Sequence, residues 1–206
     1  MAFEHWAAFA AATMVLLIIP GPTILLVISY GLGQGWRAAF PTAVGVALGD
    51  FTAMTLSMLG IGALLATSAS LFTALKLAGA AYLIWLGINL WRAGGTLNAK
   101  PVTESKGTSR MIAHAWLVTA LNPKSITFFV AFLPQFLDRS GDVLTQMAIF
   151  EATFLTLAFA NALGYGLLAS RARRLVRSER VVRGFNRTGG ALLIGAGVVT
   201  ATTRAA

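Results

Sequence analysis

A chain of 206 residues that is 57% apolar and 11% charged, with a mean hydropathy of +0.75, carries roughly half the charge of an ordinary soluble domain. Its apolar residues fall in long blocks with no room for a soluble domain between them, so it reads as an integral membrane protein. The absence of cysteine excludes disulfides, thiolate metal sites and thiol catalysis, and the net charge of +9 does not point to nucleic acid, because seven of the sixteen basic residues lie between Arg171 and Arg187, beside apolar blocks.

A spanning helix needs about 20 apolar residues, and six segments reach or approach that length. The first runs over about 6–30 and is interrupted by Pro20-Gly21-Pro22-Thr23. The second covers about 39–65 and contains Asp50, and the third covers about 70–91 and ends at Trp91-Arg92. A polar linker with Lys100, Pro101, Glu104, Lys106 and Arg110 leads to the fourth, about 113–137, which is interrupted by Asn122-Pro123-Lys124. The fifth covers about 143–169. The basic stretch 170–187 separates it from a short sixth segment, about 188–203. The start of the chain does not read as a signal peptide: Glu4 and His5 stand where Lys or Arg would be expected, and the apolar run is too long. The expected architecture is all-α, a single polytopic domain over 1–206 with six transmembrane helices.

Charge sets the orientation. Arg37 follows the first segment; Arg92, Lys100, Lys106 and Arg110 follow the third; and the Arg171–Arg187 cluster follows the fifth. The opposite side has only Arg139 and Arg204. Basic loops mark the cytoplasmic face, so both termini are expected outside. The 171–187 stretch reads first as a topology anchor and second as a surface helix meeting anionic membrane lipids.

The two halves repeat. Pro22 and Pro123 are 101 residues apart, and so are Asp50 and Glu151. Gly79-Ala80-Ala81-Tyr82-Leu83-Ile84 of the third segment matches Gly189-Gly190-Ala191-Leu192-Leu193-Ile194 of the sixth at an offset of 110. Three spans per half is an odd number, so the second half (about 113–203) enters the membrane upside down relative to the first (about 6–92). An inverted three-plus-three repeat with a broken first helix in each half points to a secondary-transporter site.

The candidate chemistry lies at the breaks. Proline removes a backbone donor and clashes with the preceding turn, and freed carbonyls in hydrocarbon have no water to turn to. The half-helices that start after Pro22 and Pro123 present unpaired N–H groups and a positive dipole end, suited to a carboxylate. Pro20, Gly21, Pro22, Thr23, Asn122, Pro123 and Lys124 are therefore the expected substrate-binding set, with Lys124 adding a full positive charge. Asp50, Lys124 and Glu151 all lie about ten residues from a predicted span end, near the midplane at about 1.5 Å per residue. Asp50 and Glu151 are expected to take a substrate ammonium or a proton in its place. The competing account is a structural set of ion pairs.

Other polar groups read more plainly. Lys76 snorkels to the outer surface. Asn89 and Asn161 read as cross-helix hydrogen bonders, and Gln135 stays ambiguous. Gly45-x-x-x-Gly49 allows close packing, either within the chain or against a second protomer in a homodimer. Trp6, Trp85, Trp91 and Trp116 fall toward segment ends, as an interfacial belt requires. Two separated histidines are far short of a soft-metal or haem site, so no metal or cofactor is expected.

These landmarks occur together in stretches that resemble a known family. They are Pro20-Gly21-Pro22 with Leu25-Leu26-Val27, Gly35 and Arg37; Gly45-Val46-Ala47-Leu48-Gly49-Asp50; Leu75-Lys76-Leu77-Ala78-Gly79 through Leu83 with Leu86-Gly87; Leu121-Asn122-Pro123-Lys124 with Phe128-Phe129 and Phe132-Leu133-Pro134-Gln135-Phe136; and Asn186-Arg187 with Gly190 through Gly195. Over its full length the chain resembles the lysine exporter (LysE/RhtB-type) translocators, bacterial inner-membrane exporters of amino acids and their derivatives. The resemblance implies export driven by the proton gradient. Two positions depart from the family pattern: Thr23 stands where many members have Asn, and Thr127 interrupts a more uniformly apolar region.

The sequence thus points to a six-helix exporter of amino acids or similar small zwitterions, working by alternating access. Two acids and one lysine in the spans favour a zwitterion over an anion. The alternatives are a passive channel or facilitator for small polar solutes, separable by its indifference to an ionophore, and a membrane-embedded enzyme, which no nucleophile–base pair or metal constellation supports.

Overall fold

The computed structural model describes residues 3–67, 69–92, 99–103, 107–137, 141–171 and 179–202. Among them the regular structure is helical: α1 (Phe3–Ile18), α2 (Pro22–Gln34), α3 (Ala39–Thr67), α4 (Ala69–Arg92), α5 (Thr108–Ala120), α6 (Pro123–Ala131), α7 (Val143–Arg171) and α8 (Glu179–Thr202). Glu104, Lys106, Arg139, Arg173, Arg174, Arg177, Arg204 and the side chain of Lys76 lie outside the described residues.

Trp36–Gly60 and Val143–Arg171 are each long and apolar enough to cross a bilayer. The pairs α1–α2 and α5–α6 each qualify if taken as one span, bent by 54° and 47°. Among the described residues two to four spans thus qualify by length and composition, where the sequence reading expects six. In α4 the apolar stretch is the shorter Leu77–Asn89. α8 begins at Glu179 rather than near 188, so part of the basic stretch is helical. Glu179 and Arg183 pair one turn apart at 3.8 Å, and the acid sits in the first turn, where the helix dipole favours it.

The element order repeats: a broken pair followed by two long helices, then the same again. Both breaks are built alike. α2 starts with Gly21 as N-cap and Pro22 at the first helical position. α6 starts with Asn122 as N-cap and Pro123 at the first position. Proline is tolerated there because the missing N–H would have no intrahelical partner.

Small residues set the packing. A Cβ on Gly45 would lie 2.5 Å from the Ile112 carbonyl, and one on Gly49 would lie 2.7 Å from the Trp116 carbonyl. The Gly45–Gly49 pair therefore seats α3 on α5 of the same chain, which resolves the choice the sequence left open. Gly87 and Gly190 face each other's carbonyls in the same way, at 2.7 and 2.6 Å, and bring α4 and α8 into the most extensive helix contact of the molecule. The core is aromatic. Phe9 stacks on Phe150 with centroids 4.5 Å apart, and Phe129 meets Phe154 edge-on at 4.8 Å, joining α1, α6 and α7. Such pairs add about 0.5–1.5 kcal/mol beyond the area they bury. Trp85, Trp91 and Trp116 are exposed. Trp6 instead donates its indole N–H to the Thr153 hydroxyl on α7.

Candidate functional site

α1 ends at Ile18 and α2 begins at Pro22. In a continuous helix the N–H of residue i+4 would serve the carbonyl of residue i. Pro20 and Pro22 therefore leave Leu16 and Ile18 without donors, and the bend strands the carbonyls between them. The chain answers with side chains from its second half. The Lys124 ammonium donates to the Leu16 carbonyl at 3.0 Å and to the Ile19 carbonyl at 2.8 Å. The Asn161 amide donates to the Leu17 carbonyl at 3.0 Å, and the Tyr165 hydroxyl donates to the Ile18 carbonyl at 2.7 Å. Four consecutive carbonyls, 16 to 19, are thus each capped from another helix.

The second break needs no such help. The Leu121 N–H turns back to the Leu117 carbonyl at 3.1 Å, and the Asn122 N–H to the Thr119 carbonyl at 3.0 Å. The Asn122 side chain then accepts from the Lys124 N–H at 3.1 Å and caps α6. One proline against two explains the difference.

The two breaks touch. The Thr23 hydroxyl oxygen accepts from the Asn122 amide at 3.1 Å and from the Thr119 hydroxyl at 3.3 Å. Thr23, Asn122 and Lys124 are buried, while Pro22 and Pro123 face outward. The N-termini of α2 and α6 therefore converge on one buried polar point, closed off in this conformation.

Asp50 joins this point from α3. It is 2% exposed. The Ser125 side chain and the Lys124 ammonium both act on it electrostatically, yet no ion pair within 4 Å forms between Asp50 and Lys124 among the described residues. Its second carboxylate oxygen, Oδ1, has no hydrogen-bond partner. A buried unpaired acceptor costs about 1–3 kcal/mol, and one on an intramembrane acid is a strong pointer to function. Glu151 sits elsewhere. It is half-buried on α7 and accepts from the Thr55 hydroxyl on α3 at 2.6 Å. No described contact joins it to Asp50 or Lys124. The matched spacing in sequence therefore places the two acids in different company.

Tyr165, Ser125, Thr119 and Thr55 were not singled out from sequence. Asn161 and Tyr165 lie one helical turn apart on α7, and that spacing was the available signal. Their counterparts at an offset of 101 are Gly60 and Leu64, which cannot donate from a side chain. Gln135, in the short 3-10 turn Leu133–Phe136 that follows α6, donates to the Ala131 carbonyl at 2.9 Å. Asn89 is exposed. An apolar cleft of about 470 Å³ lies beside the first break, lined by Val15, Ile18, Ile19, Arg180, Gly184 and Leu192 among others.

The Asn161 cap gives a direct test. Asn161→Ala leaves the Leu17 carbonyl without its donor. Interhelical hydrogen bonds in membranes average about 0.6 kcal/mol, and an orphaned buried carbonyl adds to that. The expected result is a melting midpoint in detergent lower by roughly 2–4 °C, for a loss of about 1 kcal/mol in a chain of this size. An unchanged midpoint means the cap contributes nothing.

Residues 14–204 match the family model described as LysE type translocator. The chain is 32% identical over 204 residues to a homoserine/homoserine lactone efflux protein of Salmonella typhimurium, covering 99% of each chain. It is 35% identical over 205 residues to an uncharacterized membrane protein of Vibrio cholerae, covering 100% of each. A leucine efflux protein of Enterobacter sp. is 32% identical over 155 residues, covering 75% of this chain and 73% of that one. No solved structure matches.

Proposed function

The chain belongs to the LysE type translocator family, and from that premise we propose that it is a secondary transporter exporting an amino acid or related small zwitterion across the bacterial inner membrane, coupled to the proton gradient. The observation that carries this reading is the meeting of the two breaks, Thr23 against Asn122 and Thr119, beside a buried acid with an unpaired oxygen. The positive ends of α2 and α6 attract a substrate carboxylate at Pro20–Thr23 and Asn122–Lys124. Asp50 holds the substrate ammonium or a proton in exchange, and Glu151 serves the same coupling from α7. Both termini face outward and the basic stretches face the cytoplasm.

The relatives' names direct the substrate search to homoserine, its lactone and leucine, with other neutral amino acids beside them. The point where the breaks meet is packed shut, which supports alternating access over a passive channel: substrate enters only after the halves move apart.

Everted membrane vesicles test the reading. With an imposed proton gradient they are expected to accumulate the labelled substrate in a saturable way, and a protonophore is expected to abolish the accumulation. Flux that never exceeds equilibration, and that the protonophore leaves unchanged, would make the protein a channel.

A further inference from the structure

The four capped carbonyls at the end of α1 are not treated alike. Leu17 and Ile18 receive neutral donors, the Asn161 amide and the Tyr165 hydroxyl. Leu16 and Ile19, at either end of the same turn, share a full positive charge, the Lys124 ammonium. Capping alone does not require a charge, as the neighbours show. A buried lysine in a membrane is costly, so a position filled by one calls for a reason beyond hydrogen bonding.

That reason lies in the surroundings. The C-terminal end of a helix carries the negative end of its dipole, and carbonyl oxygens are ligands of hard cations. In broken-helix transporters, such half-helix ends take the coupling cation. Here the end of α1 also lies within the charge field of Asp50, the buried acid that acts on Lys124, and whose Oδ1 has no partner. Gly21 adjoins the position: a Cβ there would lie 3.4 Å from both Cε and Nζ of Lys124, in van der Waals contact. Two carbonyl oxygens line the ammonium's position, and the negative charge of Asp50 acts on it from beyond ion-pair distance.

We propose that the end of α1, where the Leu16 and Ile19 carbonyls lie in the field of Asp50, is a monovalent-cation site that the chain keeps filled with its own lysine. The Lys124 ammonium stands where an alkali cation would sit, and the protein is thereby freed from Na⁺. The consequence for transport rests on the exporter reading above; the site itself does not. Removing the ammonium while leaving space behind should open the position to Na⁺.

The test is made on the purified full chain in detergent, comparing NaCl with choline chloride at equal ionic strength by tryptophan-fluorescence melting. Lys124→Ala is expected to gain a saturable, Na⁺-specific rise in midpoint, roughly 5 °C or more once Na⁺ exceeds its Kd about a hundredfold. Wild type and Lys124→Met, whose side chain refills the space, are expected not to respond. Asp50→Asn/Lys124→Ala is expected to lose the response. Equal midpoints in Na⁺ and choline for Lys124→Ala, or the same Na⁺-specific rise in wild type, would overturn the proposal. If Lys124→Ala melts below the working range, recovery of monodisperse protein after extraction replaces the midpoint. Recovery in Na⁺ alone supports the site, and equal recovery or equal loss in both salts overturns it. This readout contains no transport step, so failure of the export assay and failure of the cation site are told apart.

Discussion

Asp50→Asn is expected to abolish gradient-driven export while the protein still inserts and folds. The substitution keeps the size of the side chain and a carbonyl oxygen toward the neighbouring Ser125 side chain. It removes the negative charge that acts on Lys124 and a carboxyl group at the meeting point of the breaks that can carry a proton. Lys124 remains tied to the Leu16 and Ile19 carbonyls, so the fold keeps its cap. In everted vesicles, substrate accumulation should fall to that of vesicles without the protein, a drop of at least about tenfold, as loss of an intramembrane functional charge implies. Normal accumulation would remove Asp50 from the mechanism. Counterflow then separates the two roles proposed for it. If Asp50 only carries the proton, exchange of labelled for unlabelled substrate survives in the variant. If it holds the substrate ammonium, exchange is lost as well.

The positions of both helix breaks are legible in the sequence. Proline and glycine punctuate an apolar run unmistakably, because their effect on the backbone is local. The paired spacing of Pro22 with Asp50 and Pro123 with Glu151 directed attention to both breaks, and Thr23 does meet Asn122. The capping of α1 was not legible. Its acceptors are backbone carbonyls, which every residue has, so nothing in the sequence marks Leu16 or Ile19 as partners of Lys124. A break with two prolines strands more carbonyls than a break with one, and Lys124 donates to two of them. The equal spacing of the two acids gives them a common depth but does not give them common neighbours. In the structure Asp50 sits beside a lysine and Glu151 beside the Thr55 hydroxyl. Register fixes the depth of a residue along its helix but leaves open which neighbour it faces. The linker shows the same gap. Its polar composition reads as a plain connection, but the Val102 N–H bonds the Ser29 carbonyl on α2 at 3.1 Å, and the position of Gly33 beside Val102 allows the approach.

The second large effect is on stability, and its sign depends on how many charges are removed. Lys124→Met strips the Leu16 and Ile19 carbonyls of their donors, at about 1–3 kcal/mol for each buried acceptor left unpaired. It also leaves Asp50, 2% exposed, without the cation that acts on it, and an uncompensated buried charge is strongly destabilising. The single variant is therefore expected to lose a large share of the fold's stability, and with it all export. Asp50→Asn/Lys124→Met keeps the carbonyl penalty but removes the stranded charge. It is expected to be the more stable of the two, recovering on the order of 1–3 kcal/mol as neighbouring groups coupled through one contact do. In midpoint terms that is a gain of at least roughly 2 °C over the single variant, measured in choline buffer so that no alkali cation takes part. Neither variant should export, because the proton carrier or its partner is gone in each. A double variant no more stable than Lys124→Met would mean that Asp50 and Lys124 do not act as a pair, and that the lysine serves the broken helix alone.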